Sequence, residues 1–279
     1  MTAKPIAITG ATGHLGGMIA RELDAQGVAT RLIVRSPEKA PKLDHAEIAV
    51  ASYTDHDALV AACRDVSAVF FVSGFEAADR LAQHKAAVDA FAAASVPRVV
   101  YTSFINCAPD STFTFAHDHF HTEAYMQKKG VPFAALRDNF YADMIPLLPI
   151  DGVIRGPAGT GLFAPVARTD VAATAAALLT DPDQTTGVFD VAGPELMTMA
   201  RAAEILAEVT GQPVEYQEET LTEAYAARAH YDATKFELDG WVTSYAGIAA
   251  GEFATLGNAV ERFTGRKPIA LKPYLERIL

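Results

Sequence analysis

Cysteine is almost missing from this chain: only Cys63 and Cys107 occur in 279 residues. Two thiols cannot build a disulfide framework, which excludes the small stapled secreted scaffolds and points to free thiols in a reducing compartment. Basic residues are also scarce, 23 Lys and Arg against 34 Asp and Glu, for a net charge of −11. That balance argues against a nucleic-acid partner, whose phosphates demand clustered Lys and Arg, and against docking on anionic lipid. Long hydrophobic runs are lacking too. Stretches such as Val69–Val72 and Val171–Leu179 fall well short of the ~18 residues that a membrane span requires. The first strand follows Met1 within about five residues, leaving no room for the charged and apolar regions of a signal peptide. The cytoplasm is the expected location.

What is present suits a soluble globular enzyme. Apolar residues make up 50% and charged residues 20% of a chain long enough to bury a full core. The first half alternates short β-branched runs with alanine-rich stretches on helical spacing, the pattern of a parallel sheet covered by helices on both faces. Strands are expected at Ile6–Thr9, Thr30–Val34, Glu47–Ala51, Ala68–Val72, Arg98–Thr102 and Phe133–Leu136. Between them, Leu15–Gln26, Asp57–Cys63, Ala77–Ala94 and Asp118–Lys129 read as helices. The fold class is therefore α/β, a Rossmann-type doubly wound parallel sheet. After Leu136 a run of Pro and Gly from Pro146 to Gly161 is too irregular for another βα unit. The chain is expected to return to the sheet with helix Asp170–Leu179 and strand Val188–Val191, then leave it again through helix Thr198–Thr210 and a short strand Val214–Gln217. That gives residues 1–140 as a dinucleotide-binding domain completed by about 168–193, and residues 141–167 and 194–279 as a smaller, mostly helical substrate lobe.

The most informative segment is Ile6–Gly16, I-A-I-T-G-A-T-G-H-L-G, a strand running through a glycine turn into a helix. Gly10 allows the sharp turn, Gly13 leaves room for a pyrophosphate, and Gly16 lets the helix pack on the sheet. Free N–H groups at the helix start would face the phosphates. Thr12, His14 and Leu15 complete the expected cradle. In NAD-binding units the second strand ends in an acid that bonds the ribose 2′-hydroxyl. Here Arg35 takes that place, followed by Ser36 and, one turn on, Lys39. Those donors suit a 2′-phosphate and make NADPH the expected cofactor. Plain solvated surface charge is the alternative reading of both.

Mainstream short-chain dehydrogenases pass a proton through a Tyr with a Lys four residues on. Tyr125 and Lys129 have that spacing, but Gly130-Val131-Pro132 puts Lys129 at a helix C-terminus. A helix of ~12 residues carries its far end about 18 Å away from the strand ends where ligands gather. The start of the same helix holds His117, Asp118, His119, His121 and Glu123, behind the strand end Tyr101-Thr102-Ser103-Phe104. His117 and His121 share a helix face at metal-ligand spacing, but no further ligand completes a set, and no metal is expected. His119 is the candidate proton donor, since imidazole suits that role near neutral pH. A polar helix start without chemistry is the other reading.

Taken together, several motifs carry a resemblance: T-G-A-T-G-H-L-G, V-R-S-P-E-K, Q-H-K-A-A-V-D-A-F, V-V-Y-T-S-F, H-F-H-T-E, A-L-R-D-N-F-Y, Y-A-G-I-A-A-G-E-F and E-R-F-T-G-R-K-P. Nearly end to end, the chain resembles the NmrA-like atypical short-chain dehydrogenases, and within them the type 2 NAD(P)H:quinone oxidoreductases and triphenylmethane reductase. The resemblance implies that the Tyr and Lys of mainstream relatives are missing and that His119 stands where many NmrA-like chains carry the Lys. It implies a substrate cleft over the nicotinamide. Ser73, Gly74, Thr102, Ser103 and Asn139 are then expected beside the cofactor, and Phe75, Phe104, Phe140 and Tyr141 beside the substrate. Asp138 departs from the pattern, because quinone-reducing relatives usually have Asn after the Arg. A carboxylate there is expected to repel anionic substrates.

The implied activity is NADPH-dependent hydride transfer to a quinone or similar conjugated acceptor, whose oxyanion is stabilised by conjugation and needs no obligatory protein acid. Dyes and plant-type phenolics are related acceptors on the same scaffold. A non-catalytic NADP(H) sensor that reports through a partner is the alternative. The expected partner is a small aromatic molecule, with a homodimer left open.

Overall fold

The short β-branched runs pair into one parallel sheet, described here from a computed structural model that covers residues 4–279. In chain order the strands are β1 (Ile6–Thr9), β2 (Thr30–Val34), β3 (Ala46–Val50), β4 (Ala68–Phe71), β5 (Val99–Phe104), β6 (Phe133–Asp138), β7 (Val153–Gly156), β8 (Gly187–Val191) and β9 (Glu215–Glu218). The main sheet runs β3-β2-β1-β4-β5-β6-β8 with every neighbouring pair parallel. This is the doubly wound sheet that the alternating pattern implied. The order reverses between β1 and β4, which opens a crevice at their carboxyl ends, the usual seat of a ligand. Buried on both faces, β1 and β4 are apolar almost throughout, as central parallel strands must be.

Helices α1 (His14–Ala25), α2 (His56–Ala62), α3 (Arg80–Ala93), α4 (Ala116–Lys128) and α5 (Arg168–Thr180) cover the two faces. One apolar core joins α1 and α5 to the sheet; another, on the opposite face, joins α2 and α3. The crevice itself is braced: Thr9 Oγ1 accepts from the Val72 N–H (3.0 Å), while the Tyr53 hydroxyl donates to the Val72 carbonyl (2.7 Å).

Four elements differ from the sequence reading in ways that matter to the site. Strands β5 and β6 each run two residues further, pairing Ser103 with Arg137 and Phe104 with Asp138. Polar residues hid this extension, because they serve the crevice. Helix α3 begins at Arg80 rather than Ala77, the Arg80 N–H closing a turn on the Ala77 carbonyl. Finally, the Gly- and Pro-rich stretch contains β7, which pairs in parallel with β9 from Val153↔Glu215 to Gly156↔Glu218. Four residues flanked by turn formers carry too little periodicity to be read as a strand.

This two-stranded sheet packs with α6 (Met199–Thr210), α7 (Leu221–Arg228) and α8 (Lys235–Ala249), and α10 (Leu271–Ile278) packs on α6. Their common core includes Phe113, Phe163, Tyr245, Phe253 and Tyr274. Thr220 and Thr234 start α7 and α8 with reciprocal capping boxes to Glu223 and Glu237. Helix α9 (Ala259–Thr264), by contrast, returns to lie on α5 and β8. Buried Asp170 then holds Arg266 and the Ile269 N–H (2.7 Å), securing that return. No helix of the described residues is long and apolar enough to cross a membrane.

Candidate active site

The glycine turn between β1 and α1 has the geometry of a phosphate cradle. Gly10 sits at φ +62°, and a Cβ on Gly16 would stand 2.4 Å from the Gly10 carbonyl oxygen, so neither position accepts a side chain without movement. Gly13 closes the turn, donating to the Gly10 carbonyl at 2.9 Å, and caps α1 without a side chain. No acid occupies the first turn of α1, so its leading amides and positive dipole end stay available to an anion. Thr12, Gly13 and His14 are exposed on this lip, while Leu15 turns its side chain into the core. At the end of β2, Arg35 and Lys39 are exposed, and neither makes an ion pair among the described residues. These features fit a dinucleotide bearing a 2′-phosphate.

Beyond the cradle, at the carboxyl ends of β4, β5 and β6, lies a cleft of about 660 Å3. Phe104, Phe113, Phe140 and Tyr141 form much of its inner wall, with Trp241 and Tyr245 of α8 opposite. The inner rings meet edge to face: Phe104 lies 4.9 Å from Phe113 and 5.0 Å from Phe253, centroid to centroid. The floor is also stitched by side chains, most of them bonded to main-chain groups. Glu252 accepts from Ser111 Oγ (2.6 Å) and from the N–H groups of Thr112 (2.6 Å) and Phe113 (3.3 Å). Asn106 donates to the Glu252 carbonyl, and Asn139 to the Phe253 carbonyl at 2.9 Å.

Buried polar groups stand behind this wall, each with a partner. Arg80, 2% exposed, donates to Asp118 Oδ2 at 2.8 Å and to the Phe115 carbonyl at 2.7 Å, with its guanidinium over the Phe115 ring. His84 accepts the Gly74 N–H on Nε2 (2.8 Å), so its Nδ1–H donates to Thr122 Oγ1 (2.9 Å), whose own hydroxyl donates to the Asp118 carbonyl. Burial holds His84 down to about 3, and it is neutral. His119 lines the cleft at 7% exposure, with Nδ1 3.0 Å from the Tyr101 hydroxyl. Burial, reinforced by the Arg80 charge, keeps it well below the usual imidazole range. A neutral His119 offers a hydrogen bond, not an imidazolium proton. Below it, Arg137 pairs with Glu123 at 2.6 Å, and Ser103 donates to the same carboxylate.

Asp138 is the unusual member of the cleft. Only 5% exposed, it accepts the Tyr141 hydroxyl on Oδ2, and the Arg168 guanidinium stacks 4.5 Å from the Tyr141 ring centroid. Burial pushes the Asp138 carboxyl up to about 8, against the opposing pull of Tyr141 and Arg168. Burial therefore works against the negative charge on which the expected repulsion of anionic substrates depends.

Other residues singled out in the sequence fall where the packing directs them. Ser73, His119, Asn139, Phe104, Phe140 and Tyr141 all line the cleft. Ser103 is fully buried and committed to Glu123, Thr102 Oγ1 reaches the Phe71 carbonyl, and the Gly74 N–H is committed to His84. Phe75 is 83% exposed and lies outside the cleft wall, although Ser73 and Glu76 on either side line it. Tyr125 and Lys129 both bond Asp89 of α3 and take no part in the cleft. His117 bonds the Ser111 carbonyl, His121 is exposed, and no group of three or more His, Cys, Asp or Glu among the described residues is placed to hold a metal. Cys107 is buried beside Glu123, and burial pushes its thiol up to about 12, which disfavours the reactive thiolate. Sequence reasoning passed over Arg80, His84, Tyr53 and Arg168. Only Arg80 carried a signal, an arginine opening an otherwise alanine-rich helix.

A glycine cradle at the switch point, an arginine at the end of β2 and an aromatic cleft without a Tyr–Lys pair define a Rossmann-type protein of the atypical short-chain dehydrogenase/reductase class. Residues 2–231 match the NmrA-like family, and the chain belongs to it. Quinone oxidoreductase 2 of Escherichia coli (strain K12) is 34% identical over 232 residues, 80% of each chain. Among solved structures, an NADPH-dependent quinone oxidoreductase of E. coli complexed with NADPH superposes with a TM-score of 0.89 at 28% identity, covering 98% of this chain and 99% of that one. Triphenylmethane reductase of Citrobacter sp., complexed with NADP(H), gives 0.86 at 27% identity, covering 98% and 100%.

Proposed function

We propose that this chain is an NADPH-dependent reductase that delivers hydride to a quinone or similar flat, conjugated acceptor held in the aromatic cleft. The observation that carries this reading is the cleft's position: its aromatic wall stands at the carboxyl ends of β4, β5 and β6, beside the dinucleotide cradle. The similarity to reductases solved with NADPH and NADP(H) supports it. When bound, NADPH supplies the hydride. The amides opening α1 would hold its pyrophosphate, and Arg35 with Lys39 its 2′-phosphate. Phe104, Phe140 and Tyr141 would stack the acceptor, and Ser73 and Asn139 would border the cofactor's reactive end. Residues 141–167 and 194–279 supply the outer bank of the cleft and form the substrate lobe in this reading, with α9 alone laid back on α5 and β8.

Mixing the purified protein with NADPH and a small benzoquinone should deplete the nicotinamide absorbance faster than the uncatalysed reaction. Absence of any rate above background across several quinones and dyes, with NADP(H) still bound, would favour the sensor reading instead. For His119 the expectation is limited. His119→Ala should slow turnover by no more than about tenfold, below the 10²–10⁴ typical of an obligatory acid or base. Complete loss with cofactor binding intact would make His119 that acid.

A further inference from the structure

We propose that Asp138, positioned by Tyr141, is the proton donor to the reduced acceptor. This rests on the reading of the chain as an NADPH-dependent reductase, and it fills the role left open where mainstream relatives use Tyr and Lys. The geometry is specific. Asp138 ends β6, lines the cleft, and has one carboxyl oxygen, Oδ2, occupied by the Tyr141 hydroxyl. Among the described residues no residue besides Tyr141 gives its side chain a hydrogen bond, so Oδ1 has no partner from a neighbouring side chain. In this proposal Oδ1 carries the proton, and Asp138, as a residue of the cleft lining, gives it to the stacked acceptor.

The surroundings set when that proton leaves. Arg168 of α5 lies over Tyr141, and Asp143, from the turn after β6, is itself bonded by the Tyr274 hydroxyl at 2.5 Å and by the Arg168 N–H at 3.2 Å. Across the cleft stand neutral His119, Arg80 in its pair with Asp118, and Glu76, whose carboxyl is also raised by burial. Burial outweighs the nearest positive charge, so Asp138 keeps its proton to about pH 8. In the reaction the acceptor gains two electrons and one hydrogen as hydride, leaving one of its oxygens anionic. The O–H bond at Asp138 Oδ1 then breaks as a new O–H bond forms on that oxygen. Asp138 is left as a carboxylate, stabilised by Tyr141, and recovers a proton from water at the cleft mouth.

Two measurements test this. The first is the single-turnover rate with saturating NADPH and benzoquinone as a function of pH. In the wild type it should fall above about pH 8, the region where Asp138 ionises. Asp138→Asn should lower it by about 100-fold or more, on the scale of general-acid effects, and abolish the alkaline fall. Tyr141→Phe removes a bond that favours the carboxylate, so it should keep the fall but move it to higher pH. The second needs no turnover: the melting temperature of wild type and Asp138→Asn across the acidic and neutral range. A carboxyl raised in the folded state binds a proton that the unfolded chain has released above ~pH 4. Stability from this group is therefore lost as pH rises toward its folded value, and the wild type should fall more steeply than Asp138→Asn. An alkaline fall that persists in Asp138→Asn, one that Tyr141→Phe leaves unmoved, or parallel melting curves would each overturn the proposal. If the wild type reduces no acceptor, the functional reading fails, while the melting comparison still reports whether Asp138 holds its proton.

Discussion

Arg35→Asp is expected to turn the preference of this chain from NADPH toward NADH. Arg35 occupies the end of β2, where an acid would bond a ribose 2′-hydroxyl, and it has no ion-pair partner among the described residues to hold it elsewhere. A charge-assisted contact to the 2′-phosphate is worth about 1.5–3 kcal/mol, which is roughly 10- to 150-fold in affinity. The aspartate also adds repulsion toward the phosphate and a new acceptor for the NADH hydroxyl, so the ratio of affinities should shift by about 100-fold or more. Lys39, one turn further on, is left to retain part of the NADPH binding. Fluorescence titration of both reduced nucleotides against wild type and variant measures the ratio directly. An unchanged ratio would show that Arg35 does not read the 2′-phosphate.

Asp118→Ala should cost more stability than any other single truncation around the cleft. Arg80 is almost wholly buried, and among the described residues Asp118 is its only carboxylate partner within ion-pair distance. Removing that partner strands a charge with only the Phe115 carbonyl and ring beside it. Breaking a buried pair from one side typically costs about 3–5 kcal/mol. At about 2–4 °C per kcal/mol for chains of this size class, the melting temperature should fall by roughly 10 °C. The double variant Arg80→Met, Asp118→Ala should recover much of the loss, because the stranded charge is what destabilises. A drop of only a degree or two would mean that cleft water reaches the guanidinium and solvates it.

These residues show where sequence reasoning reaches and where it stops. The cradle was legible because its logic is local: strand, glycine turn and helix start are contiguous from Ile6 to Gly16, and the φ of Gly10 bears out what the spacing implied. Arg35 was legible as a substitution at a fixed place in a known unit. Asp118, in contrast, belonged to a polar cluster that could equally have carried chemistry, and its partner Arg80 lies 38 residues away in a different helix. His84 lay inside the quoted Q-H-K-A-A-V-D-A-F stretch but drew no role, because its bonds run to Gly74 and Thr122, at separations that no periodicity encodes. Asp138 was noticed only as a departure from pattern. Its sequence position named the side chain, but the burial that keeps it protonated is a property of the packed cleft.

The main-chain stitching around Glu252 and Phe253 has a consequence for how such a site changes over time. The side chains of Asn106, Asn139 and Glu252 fix the path of two loops and of the turn beneath the cleft, and Phe113 and Phe253 enter these bonds only through main-chain groups that other residue types also carry. The rings at Phe113 and Phe253 are thus replaceable parts on a fixed mount. Exchanging one ring for another reshapes the bed offered to an acceptor without disturbing the bonds that hold the bed in place. A scaffold of this kind is free to wander among flat acceptors of different outline while its hold on the nucleotide stays constant.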